Sequence, residues 1–178
     1  MVPRMYLLTG ISFSGKSTLA HALSIAQNIA VIDPDGVAHE QGIGLHGEEV
    51  SDAQWTLIHQ EAERRAAQIL TAGSSLVYDT TAFTRRQRQA LRNHAAQCGA
   101  EVVLIFVSIS RQEAWQRWNQ NNRTWERFAV PENDFVMVAD NFEVPGSDEP
   151  HLVYEAGRNL ADWFTQNFPQ KASDFKTE

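Results

Sequence analysis

Cysteine occurs once in the 178 residues, at Cys98. A single thiol cannot close an intramolecular disulfide, so the fold must rest on its core, and the composition suits a reducing cytoplasm. Basic charge is also short. Fifteen Lys and Arg against 22 Asp and Glu leave a formal net charge of −7, so no global positive field draws the chain to nucleic acid, although a local basic patch stays open. No apolar run approaches the ~20 residues needed to span a bilayer, and residues 1–10 read as a strand rather than a signal peptide. His21, His59, His94 and His151 are scattered without ligand spacing, and no zinc pattern is present. The Asn-Lys-x-Asp pattern that reads guanine is missing, which argues against a GTPase switch. There is no internal repeat, low-complexity tract or interdomain linker. At 43% hydrophobic, the length supports one buried core and not two, so residues 1–170 read as one domain and 171–178 as a frayed polar tail.

What is present starts with Gly10-Ile11-Ser12-Phe13-Ser14-Gly15-Lys16-Ser17, which reads G-x-x-x-x-G-K-S, a phosphate-binding loop. Its context is right: residues 5–9 form an apolar run suited to a buried strand, and residues 15–26 place Leu19, Ala22, Leu23 and Ala26 at helical spacing. Glycines let the backbone wrap a phosphate with N–H groups pointing inward, and the helix start adds a positive dipole end. Gly10, Ser12, Phe13, Ser14, Gly15, Lys16, Ser17 and Thr18 are therefore the candidate nucleotide-binding positions. Lys16 is suited to bridging the outer phosphates of ATP, and the Ser17 hydroxyl to ligating Mg²⁺.

Further along, apolar runs alternate with helical stretches. Strands are expected at 29–33, 75–79, 101–107 and 151–154, and helices at 51–72, 85–98, 110–121, 131–142 and 155–168. Residues 36–47 carry four glycines and read as a loop, with room for a short helix; residues 122–130 are polar and Arg-bearing and read as a loop or lid. Such alternation predicts a three-layer α/β/α fold with a parallel sheet covered on both faces, and ligands at the carboxyl ends of its strands.

That rule singles out strand-end carboxylates. Asp33 and Asp35 follow the second strand, across the cleft from the phosphate loop, where a carboxylate can take the proton of a hydroxyl attacking the γ-phosphate. The lesser alternative is that Asp33-Pro34-Asp35-Gly36 is only a turn, for which its composition is ideal. Asp79 ends the third strand, placed to hold Mg²⁺ or to orient substrate, or else to act as a loop acceptor. Arg85, Arg86 and Arg88 open the next helix, where a substrate phosphate or, more commonly, local carboxylates on a solvated face would balance them. Arg117, Arg123 and Arg127 lie in or beside the polar lid, where closing arginines neutralise a transferring phosphoryl group. Trp118 and Trp125 either stack on a base or pack the lid down. His39 and His46 lie where a substrate could touch them.

With these residues together, the chain resembles P-loop kinases of the polynucleotide kinase, zeta-toxin and chloramphenicol phosphotransferase type over residues 4–145. The resemblance rests on the phosphate loop, the Asp33-Pro34-Asp35 segment, residues 77–86, and the stretch from Arg117 through Arg123 to Pro131. It implies a five-stranded sheet of order 2-3-1-4-5 with an Arg-bearing lid. It also implies Asp35 as general base with Asp33 as understudy, and Arg123 as the lid arginine reaching the transferred phosphate with Arg127 helping. ATP and Mg²⁺ would be the cofactors, Ser17 and Asp79 the metal positions, and the hydroxyl of a small molecule the acceptor. Phe13 stands where relatives often carry glycine and would shape one wall of the site. Ala38 stands where polynucleotide kinases carry an arginine three residues after the base, which, with the acidic charge, disfavours a polynucleotide acceptor. A polynucleotide 5′-hydroxyl kinase and an ATPase or switch without an acceptor are the alternatives.

Overall fold

The computed structural model describes residues 2–44, 50–124 and 130–168. Their elements run β1 (Arg4–Thr9), α1 (Lys16–Gln27), β2 (Ala30–Ile32), α2 (Pro34–Glu40), α3 (Asp52–Thr71), β3 (Leu76–Tyr78), α4 (Arg85–Gln97), β4 (Glu101–Ser108), α5 (Arg111–Thr124), α6 (Glu132–Asp140), β5 (Leu152–Glu155) and α7 (Leu160–Asn167). The strands form one parallel sheet in the order β2-β3-β1-β4-β5, as the resemblance implies. β1 lies at its centre, with Leu7 opposite Tyr78 of β3 and Leu104 of β4.

Strand alternation sorts β1 between two layers. Met5 and Leu7 enter a core with Ile58, Ala62 and Ala66 of α3 and Leu91 of α4. Tyr6 and Leu8 enter the opposite core with Leu19 and Leu23 of α1 and Trp163 and Phe164 of α7. Covering both faces is why this strand is apolar without interruption. A third cluster joins Trp115 and Trp118 of α5 to Phe135 of α6 and to Phe13 of the phosphate loop. No helix among the described residues is long and apolar enough to cross a membrane.

Three elements differ from the sequence expectation, each for a local reason. Asp33-Pro34-Asp35-Gly36 opens α2 rather than making a turn. Asp33 is the N-cap, its carboxylate accepting the Gly36 N–H, and Pro34 sits where the first helical residue has no intrahelical N–H to donate. A Cβ on Gly36 would lie 2.6 Å from Asp33 Oδ2, so the cap leaves no room for a side chain. α5 continues to Thr124 and carries Arg123 on the helix instead of in a loop. α7 starts at Leu160, five residues later than expected, because Gly157 turns the chain at φ +88° and Asn159 caps the helix through the Asp162 N–H.

The arginines at the start of α4 find carboxylates distant in sequence. Arg85 Nη1 donates to Asp148 at 2.6 Å on the surface. Arg88 is not on a solvated face: it is 1% exposed and donates two parallel bonds to Glu149, 2.9 Å from Nε to Oε1 and 2.7 Å from Nη2 to Oε2. Arg92 adds a third at 2.6 Å. These contacts fasten α4 to the segment before β5 and leave no substrate role for Arg88.

Candidate active site

The phosphate loop is fastened at its start by the end of β1. Thr9 Oγ1 donates to the carbonyls of Thr81 (2.9 Å) and Ala82 (3.0 Å), and the Gly10 N–H donates to Thr81 O (3.2 Å). The loop then passes so close to β4 that a Cβ on Gly10 would lie 2.7 Å from Val107 O and 2.9 Å from Ser14 Oγ. Gly10→Ala must therefore push the loop off the sheet. A loss of about 1–3 kcal/mol, typical of overpacking, is expected in thermal or denaturant unfolding.

The geometry fits a polyphosphate. Ser14 Oγ is buried without a hydrogen-bond partner. Gly15, at φ +103°, precedes α1 with no side-chain cap, so the first-turn N–H donors of α1 are not covered by a side chain. Lys16 is buried and arches over the loop, donating to Gly10 O at 3.0 Å and Ile11 O at 2.9 Å. Burial pushes the Lys16 ammonium pKa down, while the charges of Asp79 and Asp35 oppose that shift and keep it available to anionic oxygens. Ser17 and Thr18 are exposed on the first turn of α1. Ser17 and Asp79 are the residues that could hold Mg²⁺. Among the described residues no group of three His, Cys, Asp or Glu side chains forms a metal cage. Mg²⁺ shared between a hydroxyl, waters and phosphates does not need one.

Asp35 faces this loop from the first turn of α2. Exclusion of bulk water by the surrounding protein, followed by the charges of Asp33 and Asp79, pushes its carboxyl up to about 6 against the pull of Lys16. The side chain is nonetheless exposed to solvent, which limits how much burial can add to that push. Asp33 accepts the Gly36 N–H as the cap of α2, whereas Asp35 is exposed on the first turn of that helix. Asp79 is buried at the end of β3, its N–H donating to Ile32 O at 2.9 Å. Below them, the Tyr78 hydroxyl is buried without a partner, and burial raises its pKa.

Arg117 is the arginine that α5 brings to the loop. Its Nη1 lies 3.3 Å from both Phe13 O and Ser14 O, and 3.6 Å from where a Gly15 Cβ would stand. Arg117, Gln120, Asn121 and Thr124 line a cleft of about 490 Å³ with Phe13 and Thr18. Their spacing of i, i+3, i+4 and i+7 is one face of a helix, a signal that was available in the sequence. Arg123 is exposed and falls off that stripe. Arg127, Trp125 and His46 lie outside the described residues. Trp118 packs the lid helices down: its indole N–H donates to Val130 O at 2.8 Å, and its ring lies 4.8 Å from Trp115 and 5.9 Å from Phe135. His39 is exposed on α2.

Comparisons with known proteins show the same fold. A gluconokinase from Sinorhizobium meliloti superposes with a TM-score of 0.64 at 19% identity, over 97% of this chain and 93% of the other. The APS kinase CysC of Mycobacterium tuberculosis, in complex with AMPPNP and APS, gives 0.66 at 18%, over 96% and 97%. Kti12 of Chaetomium thermophilum, in complex with ADP-AlF3, gives 0.70 at 14%, over 97% and 96%. No curated protein matches. Residues 5–145 match the family described as AAA domain. With the family match spanning residues 5–145 and a phosphate loop directly after β1, the chain belongs to the AAA domain family of P-loop proteins and shares the fold of the gluconokinase and the APS kinase.

Proposed function

We propose that the chain is an ATP-dependent phosphotransferase that passes the γ-phosphate to a hydroxyl of a small molecule, such as a nucleoside, sugar, nucleotide-sugar or antibiotic. The observation that carries this reading is the placement of Asp35, an exposed carboxylate on the first turn of α2 whose charge is coupled to that of Lys16 in the phosphate loop and whose carboxyl is pushed up to about 6. A group of that basicity is charged at neutral pH and holds a proton more readily than an ordinary carboxylate. In the proposed step the acceptor O–H gives its proton to Asp35 and its oxygen attacks the γ-phosphorus. The bond from that phosphorus to the bridging oxygen breaks, and ADP leaves with the electron pair. Lys16, the loop N–H groups and Arg117 hold the phosphates and offset their charge. Mg²⁺, held by Ser17 and assisted by Asp79, would supply further charge neutralisation at the phosphate oxygens. Arg123 and Arg127 remain the proposed lid arginines.

A small acceptor is favoured over a polynucleotide by the surroundings of Ala38. It is 0% exposed on the core-facing side of α2, so nothing projects from the position that would reach a nucleic-acid end. The net charge of −7 points the same way.

Acceptor-stimulated ADP release tests the reading. Turnover with Mg²⁺ and ATP should rise when the right member of a panel of nucleosides, sugars, nucleotide-sugars and antibiotics is added. It should stay flat in Lys16→Ala. With that acceptor, kcat/KM should fall about tenfold per pH unit below about 6, where Asp35 becomes protonated, and level off above it. A rate that rises as pH drops through that range would contradict the assignment of Asp35.

A further inference from the structure

We infer that Phe13 is a positioning residue that couples the shape of the phosphate loop to the docking of α5, and with it the placement of Arg117. Two observations meet at this side chain. Its backbone sits at φ +64°, in the left-handed region that bulky residues rarely occupy. Its ring, half-buried, packs 6.4 Å from Phe135 in the aromatic cluster that Trp115 and Trp118 of α5 complete. Phe13 also accepts, through its carbonyl, the Arg117 Nη1 hydrogen bond at 3.3 Å.

The coupling follows from these facts. The cradle conformation is unfavourable for a phenylalanine backbone and is supported by the packing of the ring on Phe135 and on the cluster that Ala114 and Trp118 of α5 share with it. When α5 moves away, the ring loses that packing and the loop is released from the cradle. A polyphosphate that stabilises the cradle therefore stabilises α5 in its docked position, which is where Arg117 overlies the loop. A glycine at this position would adopt the same φ without strain and would make the two events independent.

This inference rests on nucleotide binding by the loop, not on the identity or existence of an acceptor. The test compares Phe13→Gly, Phe13→Ala and Phe13→Tyr. ATP·Mg²⁺ affinity is read by calorimetry, and the change in amide hydrogen exchange of α5 on adding ATP·Mg²⁺ by mass spectrometry. Thermal unfolding establishes that each variant is folded. Wild type and Phe13→Tyr should bind ATP alike and protect α5 when it binds. Phe13→Gly should bind ATP more tightly than Phe13→Ala yet show no ATP-induced protection of α5. Phe13→Ala keeps the backbone strain without the ring, so it should lose both the protection and about tenfold in affinity. Equal affinities for the Gly and Ala variants, or full α5 protection in Phe13→Gly, would overturn the coupling. Failure of ATP to bind the wild type would overturn it together with the functional reading, whereas a wild type that binds ATP but phosphorylates nothing leaves this test readable.

Discussion

Asp35→Asn is expected to lower kcat for phosphoryl transfer by ~10²-fold or more while leaving ATP affinity near that of the wild type. The asymmetry comes from position. Asp35 stands on α2, across from the loop, whereas the phosphates are held by the loop N–H groups, Lys16 and the start of α1. Removing the carboxylate takes away the proton acceptor and leaves the cradle in place. Steady-state rates together with calorimetric titration of ATP separate the two effects. Equal turnover in the mutant would remove Asp35 from the chemistry, and a large loss of ATP binding would make it a structural residue.

The same substitution carries a stability signature of opposite direction. The folded-state pKa of Asp35 lies near 6, above its ordinary 3.8, so the folded protein holds this proton more tightly than the unfolded chain does. The contribution of this group is thus fully present below 3.8 and is lost as pH rises through about 6. Asp35→Asn should therefore melt at a higher temperature than the wild type at pH 8, with the difference closing toward pH 4. A base held in an unfavourable charged state at a site of use is the stability–activity trade-off in a single residue.

Glu149→Gln should be strongly destabilising although it lies far from the phosphate loop in sequence. Glu149 is 4% exposed and receives three charged hydrogen bonds, from Arg88 twice and Arg92 once. The glutamine leaves the Arg88 guanidinium, itself 1% exposed, without a counter-charge. Breaking a buried pair from one side costs about 3–5 kcal/mol. For a chain of this size that corresponds to a melting temperature lower by roughly 6–20 °C. Its pH dependence runs opposite to that of Asp35. The hydrogen bond from Arg88, more than any other influence, holds the Glu149 carboxyl down at about 2, below its ordinary 4.5. Its stabilisation is present above 4.5 and disappears as pH falls through about 2. The wild-type advantage over Glu149→Gln should consequently shrink in acid. An unchanged melting temperature in the mutant at pH 7 would show that the pair is tolerated rather than stabilising.

How much of this was legible in the sequence depended on how local the chemistry is. The phosphate loop is contiguous, and strand, loop and helix fall within two dozen residues, so its residues and their surroundings could be read directly. The sheet order came through resemblance, because nothing in a strand's own residues says which neighbour it will take. Asp33-Pro34-Asp35-Gly36 was ambiguous for a physical reason. A turn and a helix start use the same device, an Asp side chain accepting a backbone N–H a few residues on. What decides between them is the burial of Val37 and Ala38 against α3, a tertiary contact. Arg88 and Glu149 are 61 residues apart, and no local pattern joins them. Arg117 is an intermediate case. Its polar stripe through Thr124 is visible once α5 is extended, and is hidden if the helix is stopped at residue 121 and the rest is taken as loop.

The most direct test follows the γ-phosphate itself. The protein is incubated with Mg²⁺ and γ-labelled ATP in the presence of the acceptor panel, and the label is partitioned between organic acceptor and inorganic phosphate. Label is expected in one class of small hydroxyl compound, absent in Lys16→Ala and strongly reduced in Asp35→Asn. Label appearing only in inorganic phosphate, at a rate no hydroxyl compound alters, would contradict this expectation and make the chain an ATPase on a kinase fold. Label on the 5′ end of an oligonucleotide would contradict the small-molecule acceptor and overturn the reading of Ala38.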